Sequence, residues 1–169
     1  MSKRKFLFIC LVFVCVFSLT SCPTRYEKRM AGKFYISKME LSGKYNIDIE
    51  RAFSDATVIL TTGRKFSVNV EFNYEYLDSE ETQKMIKDAL LDKPTEQQVR
   101  DIVDALKEGI YMTGSFSNNN GSMPVFTPDK LSKKPSEYGF HRFDYDFESN
   151  TLIIQGNKYV VTRFEFNKI

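Results

Sequence analysis

From Phe66 to Tyr76 the chain reads FSVNVEFNYEY, and apolar and polar side chains alternate without a break. Phe66, Val68, Val70, Phe72, Tyr74 and Tyr76 share one face of an extended chain. Ser67, Asn69, Glu71, Asn73 and Glu75 share the other. A strict period of two predicts an antiparallel strand with one face on a core and one in water. Upstream, KYNIDIERAF and ATVILTT read as further strands joined at Ser54-Asp55, and Thr62-Gly63 turns the chain into the long strand. Glycine accepts the positive φ that tight hairpin turns need. The C-terminal third repeats the grammar: FHRFDYDF, the turn ESN, TLIIQ, then Gly156-Asn157 and KYVVTRFEF. Gly-Asn between apolar runs is a hairpin signal, and successive hairpins make a meander.

Between the two groups of strands the period changes. Asp78 followed by Glu81, and Thr95 followed by Gln98, have the spacing of helix capping boxes. Met85, Ile86, Ala89 and Leu90 follow the first; Val99, Ile102, Val103 and Leu106 follow the second. These spacings predict two amphipathic helices, separated by Pro94 and stopped at Gly109, within an insertion over 79–108. The insertion holds eight acids and five bases, which argues against a basic membrane-surface helix. The fold class is mainly β, in the α+β sense: an antiparallel meander, curved or closed into a barrel, with two helices packed on the sheet or over its mouth. Residues 118–139, with NNNG and two prolines, read as an irregular connector.

The N-terminus follows a different logic. Lys3, Arg4 and Lys5 precede an unbroken apolar run from Phe6 to Phe17. A membrane-spanning helix needs about 20 such residues, so this run reads as an export signal. Leu19-Thr20-Ser21-Cys22 resembles the lipobox of bacterial lipoproteins. That resemblance implies acylation of the Cys22 thiol, cleavage before Cys22 and acylation of the new amino group. Two or more chains hold a protein stably on a membrane, where one does not. The implied division is a signal peptide over 1–21, a tether over 22–31 and a single domain over 32–169. Arg25, Lys28 and Arg29 of the tether would face lipid headgroups. The implied location is a bacterial cell envelope. Pro23 replaces the aspartate that retains some enteric lipoproteins at the inner membrane, which favours the outer membrane where there are two.

Removing the signal changes the charge and the chemistry. Without Lys3, Arg4 and Lys5, 21 basic residues face 22 acidic ones. Such a domain carries no nucleic-acid footprint. Cys10 and Cys15 leave with the signal, so the mature chain keeps Cys22 alone and no intramolecular disulfide. One histidine, His141, cannot supply the usual zinc-ligand sets or a triad around a nucleophile elbow, and no phosphate or dinucleotide loop occurs. Gly114-Ser115 lies within a strand, and Asp144 and Asp146 share a strand's polar face. The expectation is a non-enzymatic protein with no cofactor and no metal.

What remains is an aromatic load of 11 Phe and 9 Tyr in the mature chain, mostly at inward strand positions. A barrel of about eight strands either fills with such side chains or leaves room for one small ligand. Gly32-Lys33-Phe34 resembles the Gly-x-Trp of lipocalins, with Phe34 for the tryptophan and Arg163 as the basic residue of the last strand. That resemblance implies a cup for a small apolar or amphiphilic molecule, lined by Phe66, Val68, Val70, Phe72, Tyr74 and Tyr76. The alternative is an envelope interaction protein that holds a protein partner on its exposed surface.

Overall fold

The computed structural model describes residues 22–41, 45–90, 94–118, 123–129, 140–156 and 161–169. Residues 1–21, expected above to be a signal, the residue Asn157 and most of the 118–139 connector therefore lie outside the described residues. Nine strands form one antiparallel sheet: β1 (Gly32–Leu41), β2 (Tyr45–Asn46), β3 (Phe53–Leu60), β4 (Lys65–Phe72), β5 (Ile110–Ser117), β6 (Val125–Pro128), β7 (Phe140–Asp146), β8 (Thr151–Gly156) and β9 (Val161–Lys168). Their spatial order is β6-β5-β4-β3-β1-β9-β8-β7, with the short β2 paired on β1. Eight strands thus follow one another as a meander that curls round until the last strand pairs with the first. The sheet nearly closes into a barrel, and its remaining seam lies between β6 and β7.

Rings bridge that seam. Phe126 of β6 lies 4.5 Å, centroid to centroid, from Phe143 of β7. Phe126 also meets Phe66 of β4 at 4.9 Å and Phe116 of β5 at 5.9 Å. Further round, Phe34 meets Tyr145 edge-on at 6.0 Å, and Phe164 meets Phe140 at 5.7 Å. The alternation read in the long strand is obeyed along β4, where Phe66, Val68, Val70 and Phe72 are all buried. On β5, Gly114 is required by close approach: a Cβ there would stand 2.2 Å from the Thr127 carbonyl oxygen and 2.7 Å from the Phe66 ring.

Period two is interrupted at several places. The long strand ends at Phe72, not Tyr76: Asn73 caps a short helix, α3 (Tyr74–Asp78). Tyr74 is consequently 58% exposed, while the adjacent residues Tyr76 and Leu77 are both buried. Two buried neighbours depart from the alternation of a half-buried strand and are ordinary on a helix. Upstream, the strand expected through KYNIDIERAF is broken by α2 (Ile49–Ala52), capped by Asp48, and β3 continues through Ser54-Asp55 with a register shift between Phe53 and Asp55. In β1 a bulge between Ile36 and Lys38 moves the inward set from Phe34 to Met39 and Leu41. In the β3–β4 turn, the positive φ falls on Arg64, at 61°, rather than on Gly63.

The helical insertion is as expected in kind. Ser79, rather than Asp78, caps α4 (Glu80–Ala89); Thr95 and Gln98 form a complete capping box on α5 (Glu96–Lys107). Gly109 follows α5 at φ 70°, the left-handed residue that ends the helix. Ile86 and Ala89 of α4 and Val99 and Val103 of α5 are buried. They cover the barrel end where β1 finishes and β4 leaves for α3. Within the connector, β6 is a strand that pairs with β5 from Gly114↔Pro128 to Ser117↔Val125.

Burial of the α5 stripe can be tested by substitution. Thr95→Ala removes one capping oxygen and is expected to cost ~1 kcal/mol. Val99→Asp puts an unpaired charge at a position 5% exposed and is expected to cost several times more. Urea melts of the two variants giving equal midpoints would contradict the packing.

Candidate functional site

The two ends of the barrel differ in chemistry. At the first end, Thr24 caps α1 (Arg25–Met30) in the segment expected to be a tether. Thr24-Arg-Tyr-Glu27 is a complete capping box. The helix lies across the barrel end, with Met30 and Glu27 buried and Tyr26 against Phe147 at 5.5 Å. Arg29 donates to the Phe147 carbonyl and sits 5.1 Å from its ring, so this one of the three basic residues is turned onto the barrel. Lys168 of β9 donates to the Arg29 carbonyl at 2.9 Å.

Glu27 is the charged centre of this end. Its side chain is 1% exposed. One carboxylate oxygen accepts the Thr24 N–H at 2.7 Å and Arg64 Nε at 2.8 Å; the other accepts the Asn118 N–H at 3.1 Å. Burial alone would push the carboxyl up, but the Thr24 and Asn118 N–H groups and the Arg64 guanidinium together hold it below the usual glutamate range. Arg64 reaches further and donates to the Cys22 carbonyl at 2.6 Å. Its left-handed backbone at the β3–β4 turn places the guanidinium over the end of the barrel. Thr24 Oγ1 donates to the Asn118 carbonyl at 2.8 Å. Three separated parts of the chain, residues 22–30, the β3–β4 turn and the end of β5, are thereby locked together beside Cys22, which is exposed.

Phe34 and Arg163, the two residues compared above with lipocalins, stand apart in the barrel. Phe34 is wholly buried, on the inner face near this end. Arg163 pairs across from Glu40 and Gln155, and its Nε lies 2.9 Å from Glu165. The residue opposite Phe34 on β9 is Lys168. A basic side chain six register positions away cannot pack over that ring.

Of the six residues expected to line a cup, Phe66, Val68, Val70 and Phe72 face inward and pack on neighbouring side chains. Tyr76 is buried under the helices, and Tyr74 is on the outside. Beneath the helical cap, Met39, Ile47, Phe72, Tyr76, Ile86 and Leu106 surround an apolar gap of only about 10 Å³. His141 is placed on β7. Among the described residues no group of three or more His, Cys, Asp or Glu could hold a metal ion.

The second end carries an open groove of about 450 Å³ on the outer face, where β4 passes into α3 and α5 returns to β5. Glu71, Asn73, Tyr74, Glu75, Lys107 and Tyr111 line it. The Tyr74 hydroxyl donates to the Lys107 carbonyl at 3.1 Å. The Tyr111 hydroxyl bonds Glu71; partial desolvation, and then Glu71, Tyr74 and Asp55, push its pKa up. Lys107 Nζ is engaged by Asp78 at 2.6 Å. The groove is therefore walled by two tyrosine rings and bears the carboxylates of Glu71 and Glu75 with its lysine already paired. Sequence reading missed it because α3 was read as strand, which hid the turn that brings Tyr74 and Glu75 beside Tyr111. The Tyr76-Leu77 doublet after Asn73 was the available signal.

Comparison with protein-family models, curated proteins and solved structures found no match.

The Glu27 lock predicts a specific pH response. Glu27→Gln keeps the shape and loses the charge, and is expected to lower stability at pH 7 by ~1–3 kcal/mol. A carboxyl held low when folded stabilises the fold above its unfolded pKa, and that contribution is lost as pH falls through the folded value. The gap between wild type and variant in urea melts should therefore narrow as pH drops below the ordinary glutamate range. A gap unchanged under acid would contradict the ionised lock.

Proposed function

We propose that this chain is a lipid-anchored cell-envelope protein that works by binding, without catalysis, and that its binding face is the outside of the helix-capped barrel end. The observation that carries this reading is the contrast between the two volumes. The gap under the cap is about 10 Å³, whereas the outer groove is about 450 Å³. Ligand sites for small molecules run to several hundred Å³.

Polarity of the barrel supports the same reading. Cys22 lies beside the β3–β4 turn through its bond to Arg64, and the groove lies where β4 ends. The eight residues of β4 separate them, roughly 26 Å at ~3.3 Å per residue. Acyl chains on Cys22 would leave the groove facing away from the membrane, open to a partner. The tight Glu27 lock would fix that orientation.

The apolar-ligand cup is the second reading, favoured by the apolar lining of the gap under α3, α4 and α5. A ligand there would have to part these helices from Phe72 and Met39.

Two measurements test the proposal. Intact-mass analysis should find a mature protein that begins at an acylated Cys22, and Cys22→Ala should remain unprocessed; an unmodified Cys22 would refute the anchor. A photo-crosslinking side chain at Glu75 should give a discrete protein adduct in the envelope, absent when it is moved to the exposed Glu148 at the other end. For the cup, Val70→Trp is the control: in a packed core it costs ~1–3 kcal/mol. A fluorescent fatty acid taken up by wild type and excluded by a stable Val70→Trp, with no adduct at Glu75, would transfer the assignment to the interior.

A further inference from the structure

The groove has a chemical preference of its own. Lys107, its cation, is spent on Asp78 at 2.6 Å. Glu71 and Glu75 line it without a second cation among its lining residues. The Tyr74 and Tyr111 rings are 58% and 48% exposed, and their hydroxyls are held by the Lys107 carbonyl and by Glu71. Holding the hydroxyls fixes the rings at little cost on binding. Lys107 Nζ already lies 6.0 Å from the Tyr74 ring centroid, so a cation over this ring is an arrangement that the site adopts. Anionic groups sharing a groove with exposed aromatic rings match a positively charged group with an alkyl stem, which lays its carbons on the rings and its charge on the carboxylates.

On the basis of the surface-binding function proposed above, which this inference deepens, we propose that the groove receives a lysine or arginine side chain from a basic segment of a protein partner. Charge complementarity selects that occupant. An acidic segment would be repelled by Glu71 and Glu75, and a purely apolar one would desolvate both carboxylates without offering a counter-charge. A free diamine has the same headgroup chemistry, but it lacks the chain needed to contact the exposed outer face around the groove, where Asn69 and Tyr111 stand side by side on β4 and β5.

The test uses the full mature chain in a zwitterionic detergent, titrated with a fluorescent lysine hexapeptide at low salt. Wild type should bind it and should ignore a glutamate hexapeptide. Glu71→Gln with Glu75→Gln should weaken binding ~10-fold or more, since two charges are removed while Tyr111 keeps an amide acceptor. Tyr74→Leu with Tyr111→Leu should weaken it ~5-fold or more through lost cation–π contact. Glu148→Gln, on the opposite end, should have no effect. Equal binding by wild type and both groove variants would overturn the proposal. Putrescine competing as strongly as the peptide would overturn the partner assignment in favour of a free amine. These outcomes are separable from failure of the broader reading: an envelope adduct at Glu75 that persists in Glu71→Gln keeps the binding face and removes only its basic ligand.

Discussion

The pairing of β1 with β9 holds this molecule together. Without it the meander falls into two sheets, β1 to β6 and β7 to β9, each with an open edge beside an uncovered apolar face. β1 sits between β3 and β9 and hydrogen-bonds to both, from Gly32↔Leu60 on one side to Phe34↔Lys168 and Leu41↔Val161 on the other. Its bulge is part of this role. A straight strand ten residues long could not keep Phe34 inside at one end and Leu41 inside at the other while following the curvature of a barrel. The opposite seam, between β6 and β7, is bridged by contact of the Phe126 and Phe143 rings, and packing there does what the ladder does at β1.

Closure in this manner leaves two ends to cover, and the chain covers them unequally. One receives a single short helix, whose buried carboxylate must find enough donors to remain charged. It finds them in its own cap, in the end of β5 and in Arg64. A lone buried carboxylate would be strongly destabilising, and one supplied with three donors confers a defined geometry. The other end receives four helices, apolar beneath and polar above, and their junction with β4 and β5 creates the tyrosine-walled groove. Order at the first end and an open polar surface at the second are the grounds of the proposed arrangement, in which one end is anchored and the other presented.

Much of the architecture was legible in the pattern. Alternation along Phe66 to Phe72, the hairpin around ESN, the Thr95 capping box and the Gly109 stop are local signals, and each element formed where its local chemistry placed it. The misreadings share a cause. NYEY continues the alternation of the strand, but α3 forms because Asn73 caps it, and the helix brings both Tyr76 and Leu77 to the core. PTRYEKRMA is charged enough to pass for a tether, and its capping box becomes a packed helix only when Asn118 and Arg64, 91 and 37 residues away, supply donors to Glu27.

The sequence alone determined the strand-rich meander, the two-helix insertion and the near balance of 24 basic against 22 acidic residues. Those properties follow from periods, caps and composition, all set within a few residues of one another. Only the tertiary structure decided whether the aromatic load fills or lines the barrel, where the basic residues Arg64 and Arg163 point, and which polar residues meet on the surface. Those outcomes depend on curvature, bulges and strand register. A one-residue shift such as that at Ser37 changes which side chains face inward, and no periodic pattern encodes in advance where it will fall.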